Sequence, residues 1–387
     1  MGVAGGWAFM LRVEASPALA CCTTRISFDF MKHLLLLGGG PAHIQVLRSL
    51  ARSGLTAAHV TLVAPFPRTA SEHMLAGFVE GRHAADEGSI SLTDLAAAAS
   101  VQFVQAQPTA LNASERAVTL ADGRVMGYDV LSIDSGPTLN RDRIPGARGL
   151  ALFVQPVEHF HKLWGGLLLL AAERPLSVVV LGGGRTAVEL AMALQLRLHA
   201  QACVSLVTAG DPLLPECGEA MRQRVRALLK RRRLTLIEES CTEVTSSHVV
   251  LRGGGRLVCD APIAAWASDA QGWLANSGLA LDTQGFVLTG ATLQSSSHPG
   301  VFAVGEVASR MDMSAPKHIN AASTAATLSV NLRRHVYTGV LTHHVPRERQ
   351  LRFLNCADQQ AMASWGPWVV EGRCVWALKN RLAGRRE

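Results

Sequence analysis

Apolar residues in this chain gather in short unbroken runs separated by amphipathic stretches, the pattern expected of parallel strands buried on both faces and linked by helices. Two runs share one sequel. His33-Leu34-Leu35-Leu36-Leu37 enters Gly38-Gly39-Gly40-Pro41-Ala42-His43, after which Ile44, Leu47 and Leu50 recur at helical spacing. Ser177-Val178-Val179-Val180-Leu181 enters Gly182-Gly183-Gly184-Arg185, followed in the same way by Val188, Leu190, Ala191 and Leu194. The triplets begin 144 residues apart, at Gly38 and Gly182. A strand, a glycine turn and a helix form one dinucleotide cradle, because a turn without side chains lets a pyrophosphate reach the amides at the helix start. Two cradles predict two dinucleotides.

The segments after each triplet follow the same order. After the first come a strand at His59–Val63, a helix over 89–97, a strand at Val101–Val104 and a hairpin turning at Asp122-Gly123. Tyr128–Gly136 closes the block as a buried strand. After the second come a strand at Cys203–Val207, a basic helix beginning near Glu219, a strand at Leu234–Ile237 and a hairpin across Gly253-Gly254-Gly255. This internal similarity predicts a duplicated α/β fold. A further apolar run, Val301-Phe302-Ala303-Val304, ends in Gly305-Glu306, where a carboxylate can hold two sugar or ribityl hydroxyls at once. Capping of the next helix is the structural alternative for Glu306.

Composition narrows the classes. With 387 residues and 48% hydrophobic content, the chain can build two or three ordinary globular domains. The net charge of +7 is scattered, except at Lys230-Arg231-Arg232-Arg233, where cations suit a helix C-terminus better than a nucleic-acid patch. The eight cysteines form no Cys-x-x-Cys, which argues against a redox-active disulfide and against zinc, and no metal is expected. No apolar run approaches the ~20 residues that span a bilayer. Residues 1–30 read as an upstream extension before Met31, with a degenerate targeting peptide as the alternative.

The ordered segments resemble the FAD-dependent pyridine nucleotide oxidoreductases, in the type II NADH dehydrogenase-like branch. Within that branch they resemble the flavoprotein module associated with selenophosphate synthetase. The resemblance covers residues 31 to 382. It rests on the two glycine turns, Met74-Leu75-Ala76-Gly77, Tyr128 through Gly136, Val301 through Glu306, Ser364-Trp365-Gly366-Pro367 and Trp376-Ala377-Leu378-Lys379. It implies an α/β fold with two Rossmann-like domains, for FAD and NAD(P)H, the second inserted in the first, plus a small C-terminal α+β segment. The expected boundaries are 31–148 and 282–340 for the FAD-binding parts, 149–281 for the NAD(P)H domain and 341–387 for a C-terminal hairpin and helix.

Carried over by position, the resemblance implies that Gly38, Gly39, Gly40, Pro41, Ala42 and His43 hold the FAD pyrophosphate. Ser135-Gly136 marks the crossing between domains, and Gly305-Glu306 holds the ribityl chain. Gly182, Gly183 and Gly184 take the NADH or NADPH pyrophosphate. The implied catalytic residues are Glu189, beside the nicotinamide, and Lys317, which follows Pro316 at the flavin's far end. Three positions depart from the pattern. His43 replaces a third glycine, and Ala64 and Thr208 stand where a carboxylate would accept from a ribose hydroxyl. NADH and NADPH both remain open.

The expected activity is transfer of a hydride from NAD(P)H to FAD, with electrons passed on to a quinone or another small oxidant rather than to a disulfide. A flavin-binding partner protein in selenium metabolism, which does not turn over, is the alternative. No nucleic-acid partner is expected. The protein is placed in the cytoplasm. Trp365, Trp368 and Trp376, with nearby Arg and Lys, suit peripheral contact with the inner face of the membrane, while a cover over the flavin domain or a homodimer contact is the plainer account.

Overall fold

In the computed structural model the described residues run from Met31 to Ala383, except 71, 85–86, 137, 267–268, 313–320, 338 and 347–350. The expected extension at 1–30 and the site residue Lys317 lie outside the described residues.

The leucine run becomes the strand Lys32–Leu37, the middle of a five-stranded parallel sheet. Its neighbours are Ala58–Ala64, then Gln102–Gln105, on one side and Val130–Ile133, then Val301–Ala303, on the other. Leu34 through Leu37 are fully buried, as an unbroken apolar run in a doubly covered parallel sheet must be. One face packs on the helices Pro41–Ser53 and Ala321–Tyr337. The other packs on a three-stranded antiparallel sheet, Pro108–Asn112, Ala117–Leu120 and Val125–Gly127. Proline at the first helical position and Gly54 just past the end bound Pro41–Ser53.

The second half repeats this plan. Leu176–Leu181 is the middle strand of another five-stranded parallel sheet, between Ala202–Val207 and Ala261–Ala264, with Thr235–Ile237 and Leu152–Phe153 at the edges. Helices Val157–Glu173, Arg185–Leu198 and Glu219–Arg231 cover it, and Cys241–Val244, His248–Leu251 and Arg256–Val258 form the matching small antiparallel sheet. Val301–Ala303 returns to the first sheet only after the whole second sheet is complete.

The C-terminal segment differs from the expected hairpin by one strand. Arg352–Asn355 pairs with Ala361–Trp365, which pairs with Trp368–Gly372, and the helix Arg373–Ala383 follows. Four residues in a polar stretch carry too little periodicity to be read as a strand. What fixes this one is tertiary, since it docks on the helix Arg185–Leu198.

Candidate functional site

At the first cradle the chain folds Asp134 into the turn. This carboxylate, only 2% exposed, accepts the backbone N–H of Ala42 at 2.8 Å and of His43 at 3.1 Å, both at the start of the helix Pro41–Ser53. A Cβ on Gly40 would overlap the same carboxylate, so glycine is required there by a protein group. Burial pushes the Asp134 carboxyl above the ordinary carboxylate range and Glu306 adds to the rise, while His43 and the two amides oppose it. His43 fills the third glycine position with a wholly buried ring. Its Nδ1 lies 2.7 Å from the Gly38 carbonyl and its Nε2 lies 2.8 Å from Ser132 Oγ. A carbonyl can only accept, so the proton is on Nδ1 and Nε2 accepts from the serine. Burial keeps this histidine below its usual pKa, hence neutral.

The residues around this turn fit an FAD. Ser135 Oγ is buried without a hydrogen-bond partner, next to Gly136, whose Cα faces open space. An orphaned hydroxyl at the crossing between two sheets is a position a ligand can satisfy. Gly305 packs beside Asp134, and the exposed Glu306 extends from it into a large cleft.

That cleft, of about 830 Å³, is bounded by both halves of the molecule. Gly184, Arg185 and Thr186 contribute the second cradle, Trp266 and Phe286 an aromatic wall, and Glu306 the opposite side. The three glycines of this cradle differ. A Cβ on Gly182 would overlap the Ala265 carbonyl and one on Gly183 the Pro212 carbonyl, whereas Gly184 has nothing within 4 Å. Only Gly184 presents open backbone to the cleft, as the N-cap of Arg185–Leu198. Trp266 is 4% exposed, and its Nε1 is a buried donor without a partner. Arg143 and Asp211 pair at 2.7 Å on the rim, and Arg222 anchors the adjoining loop through the carbonyls of Leu214 and Pro215. A dinucleotide's size, an open glycine and a few polar groups on an apolar wall fit an NAD(P)H site.

Glu189 lies one hydrogen bond behind this wall. It is 6% exposed, and its Oε1 accepts the Asn355 backbone N–H at 2.7 Å, while Leu354 and Arg185 beside it line the cleft. Ala64 and Thr208, at the ends of their strands, are both buried. The described cysteines are free thiols, and burial pushes Cys356 up to about 12 and Cys241 up to about 11. Among the described residues no His, Cys, Asp and Glu cluster could hold a metal ion, and no helix is long and apolar enough to cross a membrane.

The sequence reading missed Asp134, Trp266 and Arg352 as site residues. A buried strand ending in an acid was the available signal for Asp134. For Arg352, which lines the cleft from the C-terminal sheet, sequence distance hides the contact.

Residues 32–326 match the model of the pyridine nucleotide-disulphide oxidoreductases. Demethylphylloquinone reductase NdbB of Synechocystis is 26% identical over 299 residues, covering 74% of each chain. The alternative NAD(P)H-ubiquinone oxidoreductase C1 of Arabidopsis thaliana is 24% identical over 385 residues, covering 87% of this chain and 73% of the relative. Among solved structures, NDH2 of Plasmodium falciparum in complex with NADH superposes with a TM-score of 0.75 at 14% identity, covering 90% of this chain and 94% of that one. The two parallel sheets are thus those of the two-Rossmann FAD/NAD(P)H oxidoreductase fold.

Proposed function

The chain belongs to the pyridine nucleotide-disulphide oxidoreductase family, and on that premise we propose that it is an FAD-dependent oxidoreductase that oxidises NAD(P)H and reduces a quinone or another small acceptor, not a disulfide. One observation carries this reading. Gly184 of the second cradle and Glu306, the residue expected on the ribityl chain, line the same cleft. FAD, when bound, supplies the redox chemistry, taking a hydride from NAD(P)H and passing electrons to the second substrate.

The chain's own part is to bind, orient and exclude water. Gly184 lets the NAD(P)H pyrophosphate approach the helix start, and Trp266 Nε1 offers it a buried donor. Gly38 through His43, Ser135 and Gly136 hold the FAD diphosphate side, and Glu306 the ribityl hydroxyls. Glu189 acts through the Asn355 amide, fixing the strand whose Leu354 forms part of the cleft wall. Lys317 is proposed beside the flavin, where a cation favours the reduced, anionic ring.

The acceptor follows from relatives whose names specify quinones, and from a cleft in which the one cysteine, Cys217, has its thiol pKa raised by burial. We assign the protein to the cytoplasm, with peripheral contact to the membrane's inner face through the exposed Trp365 and Trp368. A second reading, a flavin-binding partner in selenium metabolism that does not turn over, draws support from Ala64 and Thr208, buried at strand ends where a carboxylate would meet a dinucleotide's ribose.

Anaerobic addition of NADH, and separately NADPH, to the FAD-loaded protein separates the two readings. Loss of the flavin band near ~450 nm with either nucleotide supports the oxidoreductase. A band unchanged by both leaves the binding-protein reading in its place.

A further inference from the structure

The helix Val157–Glu173 gives one face to the core and leaves the other bare. Phe160, Trp164, Leu167 and Ala171 are buried in the core of the second half. On the opposite face Lys162, Gly166, Leu169 and Glu173 follow one another at helical spacing, and all four are exposed. Leu163 and Leu169 are 60% and 71% exposed, and the partly buried Leu170 lies beside them.

Two glycines stand in mid-helix on this bare face. Each costs roughly 0.5–1 kcal/mol of helix stability relative to alanine. A Cβ on Gly165 or on Gly166 would meet nothing within 4 Å, so packing within the chain gives no reason for either. A second helix crossing close to the backbone does give one. Gly166 is a notch and Leu169 a projection on the same seam, so the face is shaped to receive a copy of itself.

Charge sets the direction. Lys162 lies toward the start of the seam and Glu173 at its end. Among the described residues neither is ion-paired, whereas the adjoining Arg174 is held by Asp260 at 2.8 Å. Two copies running antiparallel, about a two-fold axis beside Leu167 and Leu168, set Lys162 of each against Glu173 of the other. The same rotation sets Leu169 of each over the Gly166 of the other, and brings the Leu163 and Leu170 flanks together. A parallel pair would instead face lysine with lysine and glutamate with glutamate.

We infer that this face is a homodimer contact, occupied by the same helix of a second copy of the chain, packed antiparallel. It is separate from the C-terminal hairpin. The helix runs on into the strand Leu176–Leu181, so the contact joins the second halves of two copies.

The test is sedimentation velocity of the FAD-loaded full chain over about 1 to 100 µM, with Leu169→Glu, Lys162→Glu and Glu173→Lys alongside. The expected result is a dimer whose fraction rises with concentration, and which Leu169→Glu weakens at least about tenfold. Each charge reversal alone weakens it about threefold or more, because both symmetric pairs become repulsive. An equimolar mixture of the two reversed proteins restores it to within about twofold, since every facing pair is again of opposite sign. A fault confined to one fold would not be repaired by mixing. All the substituted positions are exposed, so each variant keeps its FAD and its cooperative thermal transition. A monomer throughout overturns the inference, and loss of binding to phosphatidylglycerol vesicles in Leu169→Glu would then assign the leucines to lipid. A dimer that Leu169→Glu leaves intact also overturns it and places the contact elsewhere. Failure of the mixture to recover overturns the antiparallel register.

Discussion

Glu189 and Asn355, 166 positions apart in sequence, are joined by a 2.7 Å hydrogen bond from a backbone amide to a buried carboxylate. The bond fastens the C-terminal sheet to the second cradle's helix. Asn355 Nδ2 extends the link to Glu80 Oε1 at 3.2 Å, so three separate segments meet at one buried acidic cluster. Burial, above all, raises the Glu189 pKa, with Glu80 adding to it, while Arg185, the Asn355 amide and Lys379 pull it down.

Stability should therefore depend on pH through Glu189. A carboxyl whose folded pKa is raised keeps its proton in the folded state after the unfolded chain has released it, so stability declines as pH rises from about 4.5 toward the folded value. Glu189→Gln keeps an acceptor for Asn355 and removes the titration. Its stability relative to the unsubstituted protein should be higher at about pH 8 than at about pH 5 in urea denaturation. Parallel curves for the two proteins would exclude this role. Glu189→Ala, which orphans the amide, should cost about 1–3 kcal/mol at either pH.

The three glycines of the second cradle should respond differently to substitution. Gly182 sits at φ +146°, and a Cβ there overlaps the Ala265 carbonyl, so Gly182→Ala should lose about 2–4 kcal/mol and lower Tm. Gly184 has φ −75° and open space, so Gly184→Val should fold and keep its flavin. Its nucleotide affinity should drop at least about tenfold by calorimetry, because the new side chain stands where the pyrophosphate approaches. Loss of flavin from Gly184→Val instead would mean that the two cradles have exchanged roles.

Much of this arrangement is legible in the sequence, and what is not has a physical reason. Leu34–Leu37 and Val178–Leu181 are buried on both faces, and such strands show as unbroken apolar runs. The glycine turns are legible because the Asp134 carboxylate at Gly40 and the Ala265 backbone at Gly182 leave no room for a side chain. Helix Val157–Glu173 is harder to see, since its exposed Leu163 and Leu169 blur the amphipathic pattern. Asp134 is hidden for another reason. A strand-end acid normally faces solvent or ligand, and only the folded turn shows it bonded to the amides of Ala42 and His43. The Arg352–Asn355 strand owes its place to contacts with a helix more than 150 positions earlier, which no local pattern encodes.

Asp134 should set the affinity for FAD. Its carboxylate accepts from two amides of the helix start, where the diphosphate of a bound FAD carries like charge. Asp134→Asn keeps an acceptor oxygen and removes the charge, so FAD should bind about three- to tenfold more tightly at neutral pH, measured by quenching of flavin fluorescence. Because burial raises the Asp134 pKa, the carboxylate of the unsubstituted protein takes up its proton more readily as pH falls, and the difference between the two proteins should narrow toward acid pH. Weaker FAD binding by the asparagine variant would show that the charge supports the turn more than it opposes the ligand.

Trp365 and Trp368 pair across the two-residue turn Gly366-Pro367 at the tip of the C-terminal hairpin, at 51% and 72% exposure. Large aromatic groups at a hairpin tip are costly in water and favourable at a lipid headgroup interface, where an indole places its apolar body and its N–H in different surroundings. Arg373, Lys379 and Arg381 on the adjoining helix add cations, the charge that anionic lipid attracts. The double variant Trp365→Ser/Trp368→Ser should therefore sediment with phosphatidylglycerol vesicles at least about tenfold less than the unsubstituted protein, with nucleotide affinity unchanged. Binding of the unsubstituted protein should also weaken as salt is raised, since the cationic contribution is screened. If the hairpin instead serves a contact between two copies, vesicle binding will be absent in both proteins and the variant will shift sedimentation velocity from dimer to monomer. The two outcomes cannot be confused, because one needs lipid and the other depends only on protein concentration.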